Sequence, residues 1–403
     1  MHDPASRRLL AALCLAEVLG MSGASTFATL LPGFRASWSL TGTQAGWLSG
    51  IYFAGYLAAV PVLVGLTDRV DRRRIYLLSM AIGGASALAF TLFAHGFWSA
   101  LPLRALAGVA LAGTYMPGLK ALADRISGPT QSRAVAIYTA CFGVGISLSF
   151  VTSGTIGAWL GWQWAFAFAA LGSLLGYAVA SVALEPEDPA ARSHSLAVPL
   201  LLDVGPVLRD RSVLAYALAY ATHTFELFAL RSWVVAFFAF AVALHPGGGH
   251  VAAPSLLAAA MTAIGIPASI GGNEIALRIG RVRMLTLAML ISASVACVIG
   301  FAARMPLWFV AALIVIYGGL VTSDSGSLTA GLIDVSDPRR RGMTMAVYSC
   351  IGFCGAFLGP LIFGIVLDHA GGASDAAWGY AFAAMGVVAA MGPFALRAAR
   401  QPR

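Results

Sequence analysis

The sequence predicts an all-α membrane protein of 12 transmembrane helices, arranged as two pseudo-symmetric six-helix bundles. Composition is the first reason. Of 403 residues, 59% are hydrophobic and only 10% are charged, whereas soluble domains carry about 25% charged residues. Apolar runs long enough to span a bilayer, at ~20 residues each, recur along the whole chain. The second reason is where the cations fall. Lys120 is the only lysine. The arginines cluster in alternate gaps between apolar runs: Arg7 and Arg8, Arg69 and Arg72–Arg74, Arg125 and Arg133, Arg192, Arg209 and Arg211, Arg278, Arg281 and Arg283, Arg339–Arg341, and Arg397, Arg400 and Arg403. The intervening gaps hold only Arg35 and Arg304. This asymmetry predicts both termini in the cytoplasm, with the bacterial inner (plasma) membrane as the expected location. It also accounts for the formal charge of +8 without invoking nucleic acid. The third reason is repetition: ALADRISGPTQSRAVAIYTACFGVG from Ala121 aligns with GLIDVSDPRRRGMTMAVYSCIGFCG from Gly331. Asp124 then matches Asp334, Tyr138 matches Tyr348, Thr139 matches Ser349 and Gly145 matches Gly355, each spaced 210.

Taken in order, the first span covers 8–31. Its charged start looks like a signal peptide, but the apolar run passes Phe27 without a small-residue cleavage site, so it reads as a membrane helix. Spans 2 to 6 follow at 44–66, 75–95, 99–121, 135–159 and 164–184, which makes 1–184 the N-terminal bundle. Residues 185–211, rich in proline and charge, read as a cytoplasmic linker. Spans 7 to 12 cover 212–243, 253–275, 284–303, 307–330, 343–368 and 376–397, within a C-terminal bundle of 212–403. The tryptophans of GWQWAF, from Gly161, suit an anchor at the membrane interface. Cys14, Cys141, Cys297, Cys350 and Cys354 all lie in apolar runs and read as small buried hydrophobes. Parallel repeats of six spans place a binding site near the midplane, between the repeats.

Several local patterns resemble the major facilitator superfamily, and the resemblance covers essentially the whole chain. GLTDRVDRRR from Gly65 is similar to that family's signature between its second and third helices. Gly65, Asp68, Arg69 and Arg72 match, and Asp71 stands where the family usually has glycine. A degenerate copy, NEIALRIGRVR from Asn273, keeps Arg278, Gly280 and Arg281 with Leu277 in the acidic position. The resemblance implies that these loops brace a cytoplasmic gate, with Asp68 near the N-terminal end of span 11, where the helix dipole favours an anion. RALAGVALAG from Arg104 resembles the family's Arg-x-x-x-Gly pattern in span 4, which implies proton coupling or ligand contact for Arg104. GAFLGPLIFG from Gly355 carries Gly359–Pro360 in span 11, but Ser149 and Phe150 stand at the corresponding place in span 5. The family's antiporters carry a Gly-Pro signature in span 5, so its loss weighs against efflux.

Charges inside spans point to the chemistry, because an ionisable group in a bilayer is costly. YATHTFELFALRSW, from Tyr220, holds His223, Glu226 and Arg231 within one span. Glu17 and Glu226 are spaced 209, so the two repeats carry a glutamate at the same depth. Glu17 lies ~14 Å beyond Arg8 at helical rise, near the middle of a ~30 Å core. At 100° per residue, His223 lies about 60° from Glu226 and about 80° from Arg231 on the other side, a broad polar sector centred on the histidine. Asp324 sits in TSDSGS, a polar patch in span 10. In the resembled family spans 1, 4, 7 and 10 line a central cavity, so the resemblance brings Glu17, Arg104, Glu226, Arg231 and Asp324 toward one water-filled space. Glu17, His223, Glu226 and Asp324 also have a plainer reading as hydrogen bonds between helices, Arg104 as a side chain snorkelling to the interface, and Tyr52, Tyr56 and Tyr115 as packing.

No phosphate-binding loop, nucleophile–base set, metal motif or cofactor signature appears, and no segment could hold a soluble output domain. The expectation is therefore a secondary transporter, not an enzyme or a sensor. It takes up a small polar or anionic solute with protons by alternating access; proton-driven efflux of a drug or metabolite is the alternative. The expected partners are the solute, protons and the lipid bilayer, and the expected state is a monomer.

Overall fold

The computed structural model describes residues 4–66, 70–126, 129–186, 204–246, 253–372 and 374–398. Among them, 12 helices are long and apolar enough to cross a membrane. We label them α1 (Ser6–Ser37), α2 (Gly42–Leu63), α3 (Arg72–Phe93), α4 (Phe97–Leu122), α5 (Arg133–Leu160), α6 (Trp162–Ala183), α7 (Arg211–Ala243), α8 (Pro254–Ile279), α9 (Arg281–Arg304), α10 (Leu307–Val335), α11 (Pro338–His369) and α12 (Asp375–Arg397). All twelve expected spans are present, with ends shifted by a few residues. The largest shift is at α1, which continues through Pro32 to Ser37. Within the linker, residues 187–203 lie outside the described residues. Gly205–Arg209 forms a short helix beyond them, whose Val207 is buried.

The chain divides into two compact units, residues 1–30 with 54–201 and residues 31–53 with 202–403. These differ from the sequence bundles in one place, since 31–53 group with the second unit. In the first unit α1 packs on α5 and α6, and α3 packs on α6. In the second, α7 packs on α11 and α12, and α9 packs on α12. These are the same pairings shifted by one repeat. The helices are apolar on nearly all faces, so small residues and backbone shape decide which faces meet.

Helices α1, α4, α10 and α12 are interrupted, α12 at Ala390 and Met391. α1 passes through a 3-10 turn at Met21–Gly23. α4 breaks at Gly113 and Thr114, and α10 breaks at Ser323 and Asp324. The breaks in α4 and α10 fall at equivalent points of the repeat but have different causes. Pro117 removes the amide that would bond the Gly113 carbonyl in α4. In α10 the hydroxyls of Thr322 and Ser323 instead bond back to Gly318 O at 2.7 Å and Leu320 O at 2.7 Å, competing with the helix ladder.

The start of α2 belongs to the second unit because it lies tightly against α11. A Cβ on Gly46 would sit 2.6 Å from Pro360 O, and one on Gly50 would sit 2.5 Å from Phe357 O. Asp368 at the end of α11 accepts from the Gly42 amide at 2.6 Å and the Thr43 amide at 2.7 Å, satisfying the first donors of α2. The cysteines depart from expectation: four are half-buried and Cys354 is exposed. An apolar side chain on a membrane helix has no need of the protein interior, since lipid is equally apolar.

Candidate functional site

The long helix α7 positions most of the ionisable residues of the second unit. Glu226 is 3% exposed and its Oε1 accepts two hydroxyl hydrogen bonds, from Ser292 on α9 at 2.6 Å and from Tyr317 on α10 at 2.8 Å. A hydroxyl both donates and accepts, so these partners can hold the carboxyl with or without its proton. Sequence reasoning missed both Ser292 and Tyr317.

His223 lies one turn before Glu226 and is equally buried. Its Nδ1 approaches Asp324 Oδ1 at 2.7 Å, and its Nε2 is 2.9 Å from Ser325 Oγ. Neither Nδ1 nor Oδ1 makes an aligned hydrogen bond, so this approach is an electrostatic contact. The break in α10 makes it possible. Asp324 occupies the N-cap position of the half-helix Ser325–Val335, yet its side chain makes no cap bond and turns to the histidine instead. The ring of His223 also stacks on Tyr220 at 5.9 Å, and Tyr220 stacks on Tyr348 at 4.0 Å. Tyr348 Oη is in turn 3.3 Å from Thr329 Oγ1 on α10.

Arg231 does not join this network. Its Nε is buried without a hydrogen-bond partner, and its guanidinium carbon stands 5.6 Å from the centroid of the Phe228 ring. The expected polar sector of α7 is thus split. His223 and Glu226 turn to α9 and α10, while Arg231 lies beside an aromatic ring.

In the first unit Glu17 is fully buried. Tyr138 Oη on α5 donates to Glu17 Oε2 at 2.9 Å, and Oε1 has no hydrogen-bond partner among the described residues. The repeat spacing places Glu17 and Glu226 equivalently along α1 and α7, but their side chains turn to different neighbours. The glutamate of α1 bonds to α5, whereas that of α7 bonds to α9 and α10, and Tyr348, the counterpart of Tyr138, bonds elsewhere. Arg104 is 5% exposed, with its guanidinium carbon 5.1 Å over the ring of Phe27.

The Major Facilitator Superfamily sequence model matches residues 13–318 and 248–403, which together cover nearly the whole chain. The chain belongs to the Major Facilitator Superfamily. It is 25% identical over 242 residues to protein spinster homolog 1 of Homo sapiens, covering 58% of this chain and 46% of that protein. Over 138 residues it is 38% identical to the 3-(3-hydroxy-phenyl)propionate transporter of Escherichia coli strain K12, covering 33% of each. These matches span about a third to a half of the relatives' own lengths. A bacterial homologue of the human lysosomal transporter Spinster, in an inward-facing and occupied conformation, has the same fold, with a TM-score of 0.80 at 16% identity over 99% of this chain and 97% of that one. The nucleoside transporter NupG aligns with a TM-score of 0.76 at 14% identity over 98% of this chain and 100% of its own.

Of the gate residues that the superfamily signature implies, Asp68 and Arg69 lie outside the described residues, and of Gly65 only its place in the helix Gly42–Leu66 is described. Arg72 begins α3 and Asp71 caps it, its carboxylate accepting from the Arg73 amide at 2.8 Å. The departure from glycine at Asp71 therefore makes a helix cap, a role that Asp before a helical run signals. In the second copy, Gly280 takes φ +92 at the turn into α9 and Arg278 is exposed. Arg281 reaches across to α10, donating to Asp334 Oδ2 at 2.9 Å and Ser327 O at 3.3 Å.

Proposed function

We propose that the chain is a secondary transporter of a bacterial plasma membrane, importing a small organic anion together with protons by alternating access. The observation that carries this reading is the buried His223–Asp324 contact across α7 and the α10 break, one turn from the buried carboxyl of Glu226. Ionisable groups kept together at midspan mark ion pathways and proton relays. In this reading Glu226 takes up the transported proton, and Ser292 and Tyr317 support it in both protonation states. His223 and Asp324 tie proton occupancy to the α10 break. Arg231 supplies positive charge for the anion in the second unit, and Glu17 and Arg104 serve the first unit as the ionisable residues of α7 serve the second. Relatives named for 3-(3-hydroxy-phenyl)propionate, niacin and D-xylose are in keeping with a small solute. Ser149 and Phe150 stand where the superfamily's antiporters carry Gly-Pro, which favours import.

The test is uptake of a panel of small organic acids into proteoliposomes, with and without an inward proton gradient. The wild type should accumulate its solute only with the gradient. Glu226→Gln should abolish accumulation while leaving solute exchange measurable. Gradient-driven accumulation that persists in this variant would remove the proton-carrying role of Glu226.

A further inference from the structure

Arg231 is a cation in the middle stretch of a membrane helix, and the described residues offer it no carboxylate. Its contact is the face of Phe228. Phe228 in turn belongs to a group of three rings from three helices. Its centroid lies 4.3 Å from Phe53 of α2 and 6.2 Å from Phe353 of α11, and Phe53 and Phe353 are 6.3 Å apart. All three pairs are tilted, at 47°, 33° and 41°, so the rings do not stack flat and saturate one another's faces. Phe228, Phe353 and Arg231 each keep part of their surface uncovered.

These elements have complementary demands. An arginine at membrane depth needs an anion, because an uncompensated charge there is costly. Its planar fork matches a carboxylate with two parallel hydrogen bonds. Partly uncovered, mutually tilted phenylalanines accept a further aromatic ring edge-to-face or offset. The guanidinium carbon is only 5.6 Å from the Phe228 centroid, so a ligand using both must carry its carboxylate within a few bonds of its ring.

We infer that Phe228, Phe353 and Arg231, backed by the buried ring of Phe53, form the subsite for an aromatic monocarboxylate, with Arg231 binding the carboxylate and Phe228 and Phe353 binding the aryl ring. This deepens the anion arm of the proposed function and rests on it, but it needs neither proton coupling nor a direction of transport. Glu226 and His223 face other helices and are not part of the subsite.

Equilibrium binding to the purified full-length protein tests the subsite without any gradient, by calorimetry and by ligand-induced rise in melting temperature. Three probes of nearly equal size separate its parts: phenylacetate, cyclohexylacetate, which keeps the charge but loses the aromatic ring, and 2-phenylethanol, which keeps the ring but loses the charge. Phenylacetate should bind several-fold more tightly than cyclohexylacetate and at least ten-fold more tightly than 2-phenylethanol. Arg231→Gln should lose at least ten-fold for phenylacetate, and Arg231→Lys should recover part of it. Phe228→Leu and Phe353→Leu, which keep apolar volume, should erase the preference for phenylacetate over cyclohexylacetate, and they carry the test alone if the arginine variants do not fold. Absence of phenylacetate binding, or binding undiminished in Arg231→Gln, overturns the subsite. Equal binding of phenylacetate and cyclohexylacetate to the wild type overturns the aromatic class while leaving an organic anion as cargo. A protein that binds none of the carboxylates yet accumulates a neutral solute on a proton gradient refutes the anion reading itself.

Discussion

Aspartate is among the best N-cap residues, yet Asp324 leaves the half-helix behind it without a side-chain cap and spends its carboxylate on His223. Forgoing a cap costs about 0.5–2 kcal/mol, so the histidine contact must offset at least that much. A double-mutant cycle of His223→Ala and Asp324→Ala, read by detergent-titrated unfolding, should therefore return a coupling of about 0.5–3 kcal/mol. Strictly additive losses would mean that the two groups are neighbours without an interaction. At this scale the sequence was partly legible. The spacing of 209 paired Glu17 with Glu226, and TSDSGS marked a polar patch around Asp324. Their partners were not legible. Ser292 and Tyr317 come from α9 and α10, and helices apolar all round give no periodic signal of which face they turn to a neighbour.

At the scale of elements, the contact between α2 and α11 rests on missing side chains. GTQAGWLSG places glycine at 42, 46 and 50, a small residue every fourth position, which is a readable sign of close helix approach. What those glycines approach is not readable, because the partner surface is backbone: Gly364 O, Pro360 O and Phe357 O. A side chain at Gly46 must push α2 away from α11, so Gly46→Leu should destabilise the protein by about 1–3 kcal/mol, the usual range for overpacking. Asp368→Ala, which removes the cap on α2 without adding volume, should cost about 1 kcal/mol. Both are measured as falls in melting temperature against Gly33→Leu, whose position has open space around it. A Gly46→Leu protein that melts with the wild type would show that α2 lies farther from α11 than these distances state. The paired breaks in α4 and α10 carry a related lesson. Pro117 announces the first, whereas the second arises from the hydroxyls of Thr322 and Ser323, which the sequence marks as part of a polar patch but not as a break.

For the whole molecule, topology follows from charge and aromatic placement together. By chain order, the helix ends that carry Arg35 and Arg304 alternate with the arginine-rich ends, and Arg304 pairs with Asp375 at the start of α12. The same ends carry the most exposed tryptophans: Trp98 at 79%, Trp159 at 83%, Trp164 at 61% and Trp308 at 69%. Tryptophan settles at a membrane interface through its amphipathic ring, and arginine is retained on the cytoplasmic side during insertion. The ends that carry these tryptophans lie opposite the arginine clusters along the chain, and the expectation that follows is a cytoplasmic arginine-rich end with both termini on that side. The unit boundary at residues 31–53 was not legible, because repeat spacing reports ancestry of the halves, whereas packing at the start of α2 depends on the local glycines and Asp368. Reporter fusions decide the orientation. Green fluorescent protein joined after Arg403 should fluoresce, and alkaline phosphatase joined after Arg304 should be active, since the first reporter matures only inside the cell and the second only outside. Phosphatase activity from a fusion after Arg283, at the arginine-rich end of α9, would invert this orientation.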